Sequence, residues 1–371
     1  MTETLGCGSH VVEIRRLDRY TRDGEPITPP TLDGYFRLQG VQSCQFTRTW
    51  NAWAPFEIDL AGTTFCQDLL PSIIPNVTEV RILRGRDIAY TGIVRDIEMV
   101  AGRSSAKISG GDQVSEFAED GGRLPNLVEM NYVDTDPVDI AYDIITRMMD
   151  MTSPQDIYLI RDYLYTNPVG EKIDFAPGIT ADYVIDTLDD LADYGLLYAA
   201  VGRRIILSSV ADLDREPVAT ITTRDISGDV TVRLSSQDMA VLGVAVRDGD
   251  PPDIFTAGTF GSPYGMPAAR VDVDDDVSDR TAAAAARRAI QGRTRPRYQV
   301  EMPRNARLLP HAALPLRNIR PGSARIDVEI VDIPVPIRQP MMLSEAEFRW
   351  VPDTETVSVN LAPIGEPVAI P

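Results

Sequence analysis

The stretch Asp272-Val273-Asp274-Asp275-Asp276 offers the most inviting chemistry in the chain, because alternating carboxylates can ligate calcium. A calcium loop of the EF-hand kind would continue with glycine after Asp276 and glutamate near the twelfth position. Those places hold Val277 and Ala283. The favoured reading is that these carboxylates precede a helix starting near Asp279, with Ser278 as its cap, and favour the helix's positive end. No metal ligand is assigned.

Other catalytic sets are equally incomplete. His10 and His311 are the only histidines, and His311 sits in a proline-rich stretch that reads as an exposed loop. Metal-binding His-Glu-x-x-His, nucleophile-elbow Gly-x-Ser-x-Gly and phosphate-cradling Gly-x-x-x-x-Gly-Lys are all absent. A glycosidase needs two carboxyls at a set separation, which 55 acidic residues do not by themselves define. The acidic run Asp186, Asp189, Asp190 and Asp193 reads as a solvated or lumen-facing helix surface. Trp50 and Trp53, close to Tyr35 and Phe56, could stack on sugars, but core or subunit-interface aromatics are favoured. Cys7, Cys44 and Cys66 cannot all pair and lack Cys-x-x-Cys spacing, so they read as reduced, buried thiols of a protein folded in a reducing cytoplasm. The reading is non-enzymatic, with no catalytic, cofactor-binding or metal residue assigned.

Charge narrows the partners. The net charge is −19, which disfavours general attraction to nucleic-acid phosphates. Its distribution is uneven: from Glu116 to Glu216, 21 acidic residues face 7 basic ones, whereas from Arg280 to Arg325 there are 11 arginines and one acid, Glu301. These blocks could pair within a subunit or between neighbouring subunits, or be solvated surface. The N-terminus lacks the pattern of a signal peptide, and no apolar run suits a membrane span, so a soluble protein is expected.

The elements that would position these residues suggest a mainly β chain with an α+β insert. Residues 1–115 carry short strands between turns, including Val11–Ile14, Phe56–Leu60, Thr78–Leu83 and Ile93–Val100, and are expected to form a first β-barrel. Gly92 within this pattern predicts a bulge or sharp bend. Residues 116–215 form the acidic α+β domain. Pro137–Met151 has a helical period, and a second helix begins near Thr180 and stops at Gly195. The runs Leu196–Val201 and Arg204–Leu207 flank Gly202-Arg203 as a tight hairpin. Residues 216–371 return to strands as a second β-barrel, with an insertion around 248–292: a long loop from Asp248 to Met266, then a helix from Asp279 to Ile290. Pro334, Pro336 and Pro340 punctuate the later connections. The strictly alternating Glu355–Leu361 should be a strand with one buried face.

The order of these pieces resembles the baseplate and tail-tip hub family of bacteriophage tails and related contractile injection systems. The matching residues are Tyr90-Thr91-Gly92-Ile93-Val94, Gly110-Gly111-Asp112, the helix around Ile140–Ile145, Val184–Leu188 followed by Gly195–Tyr198 and Arg203–Leu207, the helix Thr281–Ile290, Arg320-Pro321-Gly322, and Met342-Leu343-Ser344-Glu345. The resemblance spans roughly residues 10–363 and rests on order rather than on any single motif. It implies two tube-like β-barrel domains flanking and joined to a helix–hairpin domain. It further implies a homotrimeric ring that joins a sixfold tail tube to a threefold tip and lines the channel for DNA and tape measure. Expected partners are a distal tail protein, a tape measure protein and further tip or spike proteins. DNA would pass without specific binding, and the chain would not insert in membrane. Assembly in the host cytoplasm and residence at the virion tail tip follow. The alternatives are another tail component, such as a distal tail or adhesin-like protein, and a carboxylate-based cell-wall glycan hydrolase.

Overall fold

The structure is a computed structural model that describes residues 10–16, 35–61, 73–99, 105–118, 130–151, 164–168, 170–177, 183–202, 204–210, 216–236, 239–248, 251–259, 261–274, 277–291, 293–294, 296–301, 307–309, 325–333, 336–352, 354–364 and 368–369. Cys7, Cys66, Thr180, Asp275, Asp276, His311, Pro334 and Arg320-Pro321-Gly322 lie outside these residues.

The chain is mainly β. Its first segment contributes β1 (His10–Arg16), β2 (Val41–Thr49), β3 (Pro55–Ala61), β4 (Thr78–Arg84), β5 (Asp87–Met99) and β6 (Ser105–Asp112). Alternation works as expected in β3, where Phe56, Ile58 and Leu60 are buried and Glu57 and Asp59 are exposed.

The acidic block holds helix α1 (Pro137–Met151), helix α2 (Val184–Asp193) and the hairpin β7 (Leu196–Val201) and β8 (Arg204–Ser209). Proline opens α1, where its missing N–H costs nothing, and Asp136 caps it: Oδ1 accepts from Val138 N at 2.8 Å. Helix α2 starts at Val184 with Tyr183 as its cap residue; the Tyr183 N–H donates to Asp186 Oδ2 at 2.9 Å. It stops where Gly195 takes a φ of +94° that side-chain-bearing residues resist. Val138, Ile144, Ile145, Val184, Leu188, Leu191, Tyr198 and Leu207 form this block's own core.

In the last segment, β9 (Leu242–Arg247), β10 (Asp253–Gly258) and β11 (Ala268–Val273) form a three-stranded sheet with β9 central, and α3 (Asp279–Ile290) packs on it. Ser278 caps α3 as expected, accepting from Thr281 N at 3.3 Å. The expected loop from Asp248 to Met266 thus contains a strand. Its residues are exposed or half-buried, so no apolar alternation marks it, and pairing from Leu242↔Gly258 to Arg247↔Asp253 makes it one.

The remaining strands include β12 (Arg325–Ile330), β13 (Ile337–Val351) and β14 (Thr354–Pro363). Fifteen-residue β13 joins the two β segments. Its first part pairs with β12, from Ile330↔Ile337 to Arg325↔Met342, and its second part with β2, from Thr49↔Glu345 to Cys44↔Trp350. Among the described residues, one 14-stranded sheet therefore runs through both segments, and one apolar cluster contains Phe46, Phe56, Val80 and Ile82 together with Ile326, Val328, Met341, Phe348 and Val357. Pro340 lies inside β13 rather than in a connection. It faces Asp327 on the β12 side, and on the other flank its carbonyl accepts from Ile364 N at 3.0 Å just past the end of β14, so its missing N–H falls at the margin of that ladder.

Gly92 corrects another expectation. The register of β5 against β6 shifts between Val94 and Asp96, not at Gly92. Gly92 is needed for close approach: a Cβ there would stand 2.3 Å from the Gly111 carbonyl oxygen, and one on Gly110 would stand 2.0 Å from that of Ile93. The two glycine motifs face each other directly, Gly92 opposite Asp112 and Ile93 opposite Gly111.

Candidate functional site

Two constellations concentrate polar groups: a buried charged seam between the β segments, and an acidic cleft between the α+β block and α3. At the seam, Arg84 of β4 reaches Glu355 of β14 through two parallel bonds, Nε to Oε1 at 2.7 Å and Nη2 to Oε2 at 2.9 Å. The side chains are 2% and 0% exposed, so this forked pair is removed from water. His10 Nε2 lies 3.3 Å from the same Oε1, and its ring tilts against Trp350 at 5.9 Å. Arg48 of β2 is also buried; its Nη2 donates to the Ala89 carbonyl at 2.6 Å, and its guanidinium covers the Phe348 ring. Phe46 stacks on Phe348 at 4.7 Å. Charge and aromatic packing thus fix the first segment to the last at positions about 270–300 residues apart in sequence.

The Gly110-Gly111-Asp112 motif closes the first segment and starts the acidic block. Asp112 is buried, and its Oδ1 accepts from Val114 N at 3.0 Å and Ser115 N at 3.3 Å, capping the short 3-10 turn Gln113–Phe117. Burial pushes the Asp112 carboxyl up to about 7, against the lowering effect of backbone N–H donors. A carboxyl raised in the folded state holds its proton over a range where the unfolded chain has lost it, so folding loses stability as pH rises from about 4 through 7. Asp112→Asn retains the accepting oxygen and is expected to gain stability relative to wild type between pH 5 and pH 8. Urea unfolding at both pH values measures this; a constant difference between the two proteins would contradict it. Asp112→Ala loses the cap and is expected to cost about 1–2 kcal/mol.

Asn51 docks the acidic block on the β segments. In the left-handed region at φ +48°, its backbone N–H donates to the Tyr198 carbonyl at 2.8 Å, and its side chain accepts from Tyr198 N at 2.9 Å. Trp50 packs beside Leu197 and Met342 in a small cluster at the same junction. The four aromatics considered for sugar stacking are not gathered. Phe56 is buried against Tyr90, Tyr35 lies under the Arg81 guanidinium, and Trp53 is partly exposed beside Gly111. Cys44 is buried, and desolvation pushes its thiol up to about 12, so it is an inert core residue.

The acidic cleft encloses about 680 Å³. Asp186, Asp190 and Asp193 of α2 line it together with Asp174, Asp272, Asp274, Tyr194 and Arg288. Asp189, on the same helix, instead accepts from the Tyr198 hydroxyl at 2.5 Å. Partial burial raises the Asp190 carboxyl, and Asp193, Asp189, Asp274 and Asp186 raise it further by repulsion. Asp272 is exposed, stands next to last in β11 and pairs with Arg270 at 2.7 Å. Among the described residues, no group of three His, Cys, Asp or Glu is placed to hold a metal ion. No described helix is long and apolar enough to cross a membrane.

The acidic and basic blocks do meet within the chain. Arg280 pairs with Asp134, and Arg287 Nη2 reaches Glu171 Oε1 at 2.5 Å. The sequence gives both acidic runs but no sign that α2 and the end of β11 converge. The seam is less legible still, since His10, Arg84 and Glu355 have no spacing that links them.

No protein-family model matches the sequence, and no curated protein matches it. Solved structures do share the fold. A tail protein from Neisseria meningitidis MC58 superposes with a TM-score of 0.54 at 13% identity, over 95% of this chain and 96% of that one. The 43 kDa tail protein of prophage MuSo2 from Shewanella oneidensis gives a TM-score of 0.54 at 13% identity, over 96% and 99%. Prophage tail protein gp18 from Listeria monocytogenes EGD-e gives 0.56 at 11% identity, over 94% of each chain. Along nearly its whole length, the chain has the fold of these tail proteins.

Proposed function

We propose that the chain is a non-enzymatic structural subunit of a phage-type tail, serving as the hub at the tail tip. The observation that carries this reading is the match in fold over at least 94% of both chains with three tail proteins. Three copies, each bringing two tube-like β units, form a ring of pseudo-sixfold symmetry. Such a ring joins a sixfold tube to a threefold tip. Its neighbours are a distal tail protein, a tape measure protein and further tip or spike proteins. Closing the ring gives the outer strands of the sheet partners and removes open edges. The net charge of −19 suits a channel wall that repels passing DNA. Assembly takes place in the host cytoplasm, and the mature location is the virion tail tip.

Light scattering on the purified protein tests the trimer. The expected mass is three times 40.8 kDa, or a ring formed on adding the distal tail protein. A monomer under both conditions would refute the ring. The rival reading, a carboxylate-based glycan hydrolase, would use the acidic cleft. Zymography on host cell wall is expected to show no clearing, and clearing that is lost in Asp190→Asn would favour the hydrolase.

A further inference from the structure

We propose that the unit formed by β9, β10, β11 and α3 is a hinged flap, held closed over the acidic cleft by ion pairs that oppose carboxylate repulsion across it. Three observations carry this. First, the unit has its own small core of Ala245, Ala285 and Ala286, with Phe255, Ala257, Val271 and Val273 packed around them, and this cluster shares no member with the core of the acidic block. Gly243 lets α3 lie directly on β9, since a Cβ there would stand 1.9 Å from the Ala286 carbonyl oxygen. The unit therefore holds its shape independently of the surface it covers.

Second, its two connections leave together. The Ala240 N–H donates to the Arg293 carbonyl at 2.9 Å, and just beyond them the strands Thr231–Ser235 and Arg297–Glu301 pair as a two-stranded ribbon, from Ser235↔Arg297 to Thr231↔Glu301. A unit whose entry and exit are one hydrogen bond apart can rotate with change at few backbone positions.

Third, its contact with the acidic block is polar. It includes the exposed pairs Arg280–Asp134 and Arg287–Glu171, the Thr281 hydroxyl donating to the Asp174 carbonyl at 3.1 Å, and the Arg288 guanidinium 4.8 Å over the Tyr194 ring. Between the two bodies lies the cleft of about 680 Å³, where Asp272 and Asp274 of the flap side oppose Asp186, Asp190 and Asp193 of α2. Exposed ion pairs are individually weak. Attraction and repulsion are therefore close to balance, and a change of a few charges moves the flap. Opening would uncover the α2 carboxylates and the Tyr194 ring.

Spin labels on Asp139→Cys of α1 and Thr256→Cys of β10, both exposed positions, report the distance between the two bodies in the full chain carrying Cys7→Ser and Cys66→Ser. Pulsed dipolar spectroscopy is expected to show one dominant short distance. Adding Arg280→Glu and Arg287→Glu should raise a longer-distance population by at least about tenfold. Adding Asp134→Arg and Glu171→Arg to that variant restores opposite charges across the contact and should return the short distance. Asp272→Asn with Asp274→Asn, in otherwise wild-type protein, should narrow the distribution around the short distance. Circular dichroism confirms that each variant is folded. An unchanged distribution in the charge-reversed variant would overturn the proposal, as would a long distance that the swapped pair does not reverse.

Discussion

Glu355→Ala is expected to lower the free energy of unfolding by about 3–5 kcal/mol, because it takes the two-bond carboxylate partner from a guanidinium in a site the solvent does not reach. The argument depends on both members being buried. Arg84 and Glu355 form two parallel bonds, and neither can exchange its partner for water without the strands separating. An exposed pair of the same chemistry, such as Arg338 with Glu329, should cost less than about 1 kcal/mol when broken. Replacing both members at once, as Arg84→Met with Glu355→Leu, removes the uncompensated charge and is expected to recover most of the loss. Urea unfolding followed by tryptophan fluorescence measures all three, with Trp350 close by as a reporter. A single-variant loss below about 1 kcal/mol would mean that the seam does not hold the β segments together.

Gly110→Ala is expected to be comparably severe, costing about 3 kcal/mol or more, although it adds one methyl group. That methyl would stand 2.0 Å from the Ile93 carbonyl oxygen and 2.8 Å from the Phe56 ring. The carbonyl belongs to the neighbouring strand and cannot rotate aside as a flexible side chain could. Relief requires β5 and β6 to part at the point where Asp112 caps the following turn. Gly261→Ala is the matched control: nothing lies within 4 Å of a Cβ there, and the change should stay within about 0.5 kcal/mol. Thermal unfolding of the two variants side by side separates close approach from the general cost of altering a glycine.

Local signals in the sequence were readable because local physics decides them. Helices α1 and α3 begin and end at the residues the apolar period, the proline and the serine cap indicate. The stop at Gly195 likewise needs only the backbone freedom of one residue. Pairing partners were not readable. A period of two says which side chains share a face but not which strand lies alongside. Nothing near Cys44–Thr49 announces that it pairs with Glu345–Trp350, so the continuity of the sheet across both β segments emerges only in three dimensions. The strand Asp253–Gly258 was hidden because only Phe255 and Ala257 turn half-buried toward the small apolar cluster, too few positions to announce a strand. The acidic cleft combined both cases. The α2 carboxylates and the Asp272-Asp274 pair were each visible, yet their opposition across a cavity depends on how α3 and β11 settle against α2.

The proposed hub role rests on shared fold, and its most direct test is whether and where the chain sits in a phage particle. Gold labelling of an affinity-tagged chain in purified virions, viewed by electron microscopy, should place label at the end of the tail opposite the capsid. Label along the tail shaft, on the capsid, or absent from particles that otherwise carry complete tails would contradict the tail-tip hub.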